Sequence, residues 1–279
     1  MLINYRDVFQ NILPPERLHF EGEIMEFHSR DETEDFHFRP GVVAEPVSTT
    51  EVSALIRMAF EHEVPVTAGG ARTGLSGGAL AIQGGLVLSL RRMNKILLID
   101  EKNHQVIVEP GVITEVLQNT VSEKGLFYAV DPASQGTCTI GGNIAENSGG
   151  PRAVKYGVTK DWVLNLEVVL PDGRVIETGA NTLKNSTGYN LTGLIVGSEG
   201  TLGVVTRATL KLQPLPRFQA LMLVPFTSVT NACTTVSEIF RAGAMPSAIE
   251  FMERDAVVLT QEFTGNKEIS VDPDDQAYL

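Results

Sequence analysis

The chain has 279 residues, 43% hydrophobic and 20% charged, an ordinary globular composition with room for two domains or one large α/β domain. Its formal net charge of −12 argues against nucleic acid as a partner, which would leave a basic footprint. The longest apolar runs, residues 85–90 and 163–170, are strand-sized and too short to cross a bilayer.

The opening "MLINYRDVFQNILPPERLHF" has no basic start followed by an apolar run and a cleavage signal. No secretory peptide is expected, and a cytoplasmic protein is. Residues 1–37 read as a helical, charged lead-in. The five histidines (His19, His28, His37, His62, His104) all fall in the first 104 residues, and no pair has metal-ligand spacing, so no metal site is expected. His28 and His37 sit in the acidic stretch "HSRDETEDFHF" and read as solvated. Cys138 and Cys233 are far apart and too few for a disulfide scaffold or a zinc site, so both read as reduced thiols.

Ser48 and Glu51 have the spacing of a helix-start capping box, and Val52, Leu55, Ile56, Ala59 and Phe60 form an apolar stripe at helical period. The strand "VPVTA", a glycine loop over 69–78 and the buried strand "GLVLSL" follow, giving α/β alternation. "NKILLIDEKNHQVIVEPG" reads as a hairpin turning at Asp100–Asn103. "VITEVLQNTVSEKG" reads as a helix closed by a left-handed Gly125. "TIGGNIAENSGGPRAVKYG", residues 139–157, is too irregular for a helix or strand pattern and reads as an elaborate loop or a surface that touches something with its backbone. "DWVLNLEVVLPDGRVIETG" gives two strands around Pro171-Asp172-Gly173. "LTGLIVGSEGTLGVVTRATLKLQP" gives a short helix, a glycine loop and a long strand. Beyond Pro214 and Pro216 a βαβα run ends in an acidic tail, too little to bury much surface alone.

The first glycine loop, "GGARTGLSGGA", follows a strand, where consecutive amides form a nest for an anion, commonly phosphate. It lacks the lysine of a Walker A loop and offers no GxGxxG register. With "DPASQGTCTIGGNIAENSGG" and "GSEGTLG" it makes three such loops in one chain. A long ligand lying across several backbone segments, such as a dinucleotide with a pyrophosphate, fits them better than a compact substrate.

In order and spacing these motifs resemble the FAD-linked oxidase family that shares its flavin domain with vanillyl-alcohol oxidase, closest to the branch of glycolate oxidase flavoprotein subunits and D-lactate dehydrogenases. The resemblance implies an α+β protein: a two-subdomain FAD-binding domain at 38–216, then an incomplete α+β cap at 217–279. It implies non-covalent FAD. Gly70, Ala71, Arg72, Thr73, Gly74, Gly77 and Gly78 would cradle the pyrophosphate. Pro132, Ser134, Thr139, Gly141, Gly142, Ser148 and Gly149 would line the ring and ribityl chain, and Glu199, Gly200, Gly203 and Val205 the adenosine half. Arg72 departs from the pattern, since related sequences carry glycine there and arginine at the position of Gly69. A left-handed backbone at Arg72 would be strained; a side chain folded toward the phosphates would add a charge-assisted hydrogen bond.

The implied reaction is oxidation of a small 2-hydroxy acid such as glycolate or D-lactate, with an electron acceptor or partner subunit. The family's later HGDGNxH motif does not occur here, so no catalytic residue is assigned and the chain alone is expected to be inactive. Were it active, Tyr156, Lys184 and Tyr189 are the first residues to test. A non-catalytic flavin-binding or assembly subunit stays open beside this reading. So does another reaction of the superfamily, that of a 2-hydroxyglutarate dehydrogenase or an alkyl-glycerone phosphate synthase.

Overall fold

Phe9, Leu13 and Leu18 are buried, so the N-terminal segment belongs to the core instead of forming a helical lead-in beside it. The computed structural model describes residues 4–33, 35–266 and 269–279. Helix α1 (Tyr5–Phe9) starts at Asn4, whose side chain accepts from the Arg6 amide. It stays short: Pro14 and Pro15 follow, and proline has no amide to continue a helical ladder. The chain then extends as β1 (Leu18–His19), followed by α2 (Glu23–Phe27).

Strand β2 (Val42–Ala44) leads into α3 (Thr49–Glu61). Ser48 caps the helix by accepting from the Glu51 amide at 3.3 Å, while the Glu51 carboxylate accepts from the Val47 amide at 2.8 Å. The return bond is thus displaced by one residue, because that carboxylate also receives both Arg17 Nη atoms at 2.7 Å each. This bidentate pair ties the N-terminal segment to the start of α3. Val52, Leu55, Ile56 and Ala59 are buried, whereas Phe60 is 62% exposed, so the apolar stripe is narrower than expected.

Strands β3 (Val66–Gly69) and β4 (Leu86–Ser89) complete an open sheet in the order β1-β2-β4-β3. Both β2 and β3 run parallel to β4, and β1 is antiparallel to β2. Every residue of β4 is buried, which is why it reads as an unbroken apolar run.

A second open sheet begins with the hairpin of β5 (Ile96–Asp100) and β6 (Gln105–Val108). Its turn is closed by the Asp100 carboxylate, which accepts from the Asn103 amide and Nδ2. Helix α4 (Thr114–Ser122) buries Leu117 and Val121 and is followed by Gly125 at φ +70° and by β7 (Leu126–Phe127). The stretch 139–157, expected to be irregular, contains α5 (Ile140–Glu146) and α6 (Ala153–Tyr156). Ile140, Asn143 and Ile144 give α5 one buried face at helical spacing. Thr139 caps it, and Asn147, left-handed at φ +53°, ends it.

The sheet continues with β8 (Val163–Val169) and β9 (Val175–Glu177), joined through Gly173 at φ +84°. After α7 (Leu191–Ile195) comes β10 (Val204–Lys211), and the order is β5-β6-β10-β8-β9, antiparallel throughout. A short β11 (Gln213–Pro214) pairs with β7. One buried cluster unites the two sheets: Val169 and Val204 join Val52, Leu55 and Leu88. Hydrogen bonds from Thr49 Oγ1 to Glu167 and from Ser53 Oγ to the Gly173 carbonyl, both 2.6 Å, fasten α3 to the second sheet.

The chain divides into two compact units, one of Met1–Ser148 with Val158–Leu215, the other of Gly149–Gly157 with Pro216–Leu279. The second unit holds β12 (Pro225–Phe226), α8 (Val229–Arg241), β13 (Met252–Glu253), α9 (Arg254–Thr264) and β14 (Ala277–Tyr278). Its order matches the βαβα run expected there, but its strands are only two residues long. The tail, expected to be merely acidic, supplies the middle strand of the order β12-β14-β13. Ala277 and Tyr278 are buried there, and the Tyr278 hydroxyl donates to Asp275 at 2.8 Å. Among the described residues no helix is long and apolar enough to cross a membrane.

Candidate functional site

Where β3 ends at Gly69 the chain turns away from the sheet, and residues 69–79 form one wall of a cleft in the first unit. The residues from Thr139 to Glu146 form a second wall, and those from Ser198 to Val205 a third. Each wall comes from one of the glycine-rich stretches singled out in the sequence, the second of them folded as helix α5. Parallel strands feed a loop at their carboxyl ends, and such loop clusters on a rigid sheet are where α/β folds bind ligands.

The first wall presents bare backbone. Among the described residues, no carbonyl or side-chain acceptor takes a hydrogen bond from the amides of residues 70–78. The second wall differs. The Ile140 and Gly141 amides already donate to the Val112 and Pro110 carbonyls at 2.8 and 2.7 Å. That wall therefore offers shape more than free donors.

The glycines sort by what a side chain would meet. A Cβ at Gly141 would stand 2.7 Å from Pro110 Cβ, and one at Gly203 2.7 Å from Val168 Cγ1. These two are glycine because the protein itself leaves no space. At Gly142 the nearest atom would be Thr139 Oγ1 at 3.4 Å, and at Gly74 it would be Glu146 Oε1 at 3.7 Å. Neither has a positive φ, so neither packing nor backbone geometry within the chain requires glycine at Gly74 or Gly142. A bulky object in the cleft would.

Arg72 is the only lysine, arginine or histidine lining the cleft among the described residues, against the carboxylates of Asp31, Glu146 and Glu199. Both alternatives raised by the sequence bear on it. Its backbone is left-handed at φ +65°, a costly conformation for a long side chain. Its side chain is only 6% exposed and turns toward the N-terminal segment. There Nε donates to the Arg30 carbonyl, and Nη1 lies 3.4 Å from His28 Nδ1. The guanidinium lies beside Gly69: a Cβ there would stand 3.6 Å from Arg72 Nη1, an ordinary contact distance.

His28, expected to be solvated, is 2% exposed. Burial, with the charges of Arg72, Arg91 and His19 added, pushes its pKa down to about 3. It is a neutral acceptor facing Arg72, and its ring stands edge-on to Phe27 at 5.0 Å. Sequence reasoning missed it because Arg72, which its ring faces, lies 44 positions along the chain.

Of the site residues proposed from the sequence, Gly77, Pro132 and Gly149 are not on the cleft lining; all the others are. Gly77, at φ +75°, turns the first loop, and its carbonyl accepts from the Leu80 amide. The Pro132 carbonyl accepts from the Gln135 amide and shapes the start of the second loop. Gly149 belongs to the second unit. Lys184 and Tyr189 are exposed and outside the lining. The lining also includes Asp31, Pro110, Cys138, Asn143 and Glu146, which the sequence reading did not assign. Asn143 Nδ2 donates to Thr114 Oγ1 at 2.6 Å, which in turn lies 3.2 Å from Cys138 Sγ, so these side chains brace α5 against α4. The helical spacing of Asn143 with Ile140 and Ile144 was the available signal for it.

Residues 40–179 match the FAD binding domain family, and residues 215–279 match the C-terminal domain of the FAD linked oxidases. The chain is 42% identical over 256 residues to a D-lactate dehydrogenase of Anaerostipes hadrus, covering 91% of this chain and 54% of that one. It is 44% identical over 236 residues to the glycolate oxidase subunit GlcD of Bacillus subtilis, covering 85% of this chain and 50% of that one. The chain thus spans about half the length of these relatives. Its fold matches a solved alkyldihydroxyacetonephosphate synthase with a TM-score of 0.80 at 24% identity, over 95% of this chain and 51% of that one. With both family matches falling on the units that carry the cleft and the small three-stranded sheet, the chain belongs to the FAD-linked oxidases, and FAD is its cofactor.

Proposed function

We propose that this chain is the flavin-holding part of an oxidoreductase that acts on small 2-hydroxy acids of the glycolate or D-lactate type. The observation that carries this reading is the cleft whose first wall presents the amides of residues 70–78, unpaired among the described residues, and whose Gly74 and Gly142 have no packing reason among those residues to be glycine. Those features fit a bound FAD. A run of amide dipoles answers a diphosphate without needing a lysine, and the open positions leave room for a flat ring and its chain.

In this reading the residues assigned from the sequence divide by task. The amides around Gly70, Thr73 and Gly74 bind the diphosphate, held in aim by the positive-φ positions Arg72 and Gly77. Thr139, Gly142 and Ser148 shape the ring side without covalent attachment. Glu199, left-handed at φ +51°, and Gly200 shape the adenosine side. Bound there, FAD supplies an acceptor for the hydride that leaves the substrate carbon. The lining carries three carboxylates and one guanidinium. A base for the substrate hydroxyl and cations for its carboxylate are expected from elsewhere.

The second unit is assigned to a cap, with domain limits near residues 38, 216 and 279. Its exposed Phe218, Leu221, Met222, Met245 and Phe263 are large apolar side chains of the sort that are covered in an assembled protein, by further cap sequence or a partner subunit. The two free thiols, one buried and one exposed, suit a cytoplasmic location. A flavin-binding subunit without turnover of its own is the second reading, favoured by the absence of a histidine among the described lining residues.

The test uses the FAD-loaded chain without oxygen. Glycolate, D-lactate and D-2-hydroxyglutarate should leave the flavin oxidised, while dithionite bleaches it. A chimera that continues into the part of the Bacillus subtilis relative not matched here should be bleached by at least one of the three acids. A chimera that holds flavin but is bleached by none would overturn the reading in favour of the non-catalytic subunit.

A further inference from the structure

Arg72 has a left-handed backbone, is nearly enclosed, and keeps its Nη2 buried without a hydrogen-bond partner among the described residues. No carboxylate stands within ion-pair distance of it among those residues, and Asp31 acts on it only at longer range. Its two satisfied nitrogens are engaged by neutral groups, the Arg30 carbonyl and His28. A second hollow, lined by Glu26, Phe27, Arg30, Asp31, Glu32, Ala71 and Arg72, abuts the cleft and shares Asp31, Ala71 and Arg72 with it; none of its carboxylates pairs with Arg72. A buried cation without an anion is costly, and left-handed strain at a non-glycine position persists only where something over-determines it. Arg72 itself belongs to the loop, residues 70–78, whose amides have no partner among the described residues.

We propose that Arg72 is a positioning and selectivity residue for the cofactor's diphosphate. It is a fixed positive charge locked from behind by residues 28–30, and the phosphate charge in the cleft completes its compensation. This rests on the flavin reading above and adds to it a source of selectivity for phosphate-bearing flavins. Arg72 also couples two parts of the first unit. The segment carrying His28 and Arg30 sits on the back of the phosphate loop, so cofactor binding and the seating of that segment reinforce each other.

The experiment measures the Kd of FAD and of riboflavin, which has no phosphate, by flavin fluorescence for the intact chain, Arg72→Met, Arg72→Lys and Arg72→Gly. Arg72→Met should weaken FAD by roughly tenfold to a hundredfold, the range of a charge-assisted contact, and leave riboflavin within about twofold. Arg72→Lys should recover part of the loss. Arg72→Gly, which relieves the backbone strain, should still bind FAD more weakly than the intact chain. The FAD Kd of the intact chain should rise with salt more steeply than that of Arg72→Met. Unchanged FAD binding in Arg72→Met, or equal losses for FAD and riboflavin, would overturn the proposal. An intact chain that binds neither flavin would instead refute the flavin reading itself.

Discussion

Acidification should destabilise the first unit through one side chain, His28. It is buried against Arg72 and faces the further charges of Arg91 and His19, and its pKa in the folded chain is pushed from 6.5 to about 3. Between those values the unfolded chain binds a proton that the folded chain refuses. Stability therefore rises with pH across this window and is lost as pH falls below 6.5. At pH 5 the folded chain forgoes about 2 kcal/mol relative to pH 7 from this group. For a unit of this size that corresponds to a fall in Tm of roughly 4–8 °C. The assay is thermal unfolding followed by circular dichroism from pH 7 to pH 5, on the intact chain and on His28→Gln, which keeps an acceptor for Arg72 Nη1 but does not titrate. The variant should lose markedly less Tm over the interval, which separates His28 from carboxylates titrating in the same range. Parallel losses in the two proteins would refute the reasoning.

The cleft glycines should separate in their effects. Gly141→Ala forces a Cβ to 2.7 Å from Pro110 and should cost roughly 1–3 kcal/mol of stability by urea unfolding. Gly142→Val should leave Tm nearly unchanged, because its Cβ has space, while weakening FAD by at least about tenfold as its methyl groups enter the cleft. Equal stability losses would show that Gly142 serves only the helix. Glu51→Ala removes the bidentate partner of Arg17 and the acceptor of the Val47 amide. It should cost about 1–2 kcal/mol after allowing for partial exposure, and the loss should shrink in an Arg17→Met background.

Much of the first unit is legible in the sequence because its elements are periodic or carry distinctive ends. The Ser48 cap, the stripe through Ala59, the Asp100 turn and the left-handed Gly125 and Gly173 all stand where the residue types put them. The three glycine loops converge on one cleft, as their common composition suggested. Helix α5 was hidden because Gly141 and Gly142 dilute its apolar face, leaving Ile140, Asn143 and Ile144 as its pattern. The N-terminal segment looked detached because Pro14 and Pro15 break its periodicity. Its burial depends on Val42 and Leu55, which follow dozens of residues later. Nothing local marks His28 as buried or Arg72 as turned away from solvent, since the two meet across 44 residues of chain. In the second unit, two-residue strands carry no alternation to read.

Hydrogen–deuterium exchange of the chain with and without FAD tests the placement of the cofactor most directly. The amides of residues 70–78 have no partner among the described residues, so they should exchange freely in the apo chain and slow strongly when FAD is added, with protection also at 139–148 and 197–205. Protection confined to other segments, with residues 70–78 exchanging as fast as before, would contradict the account.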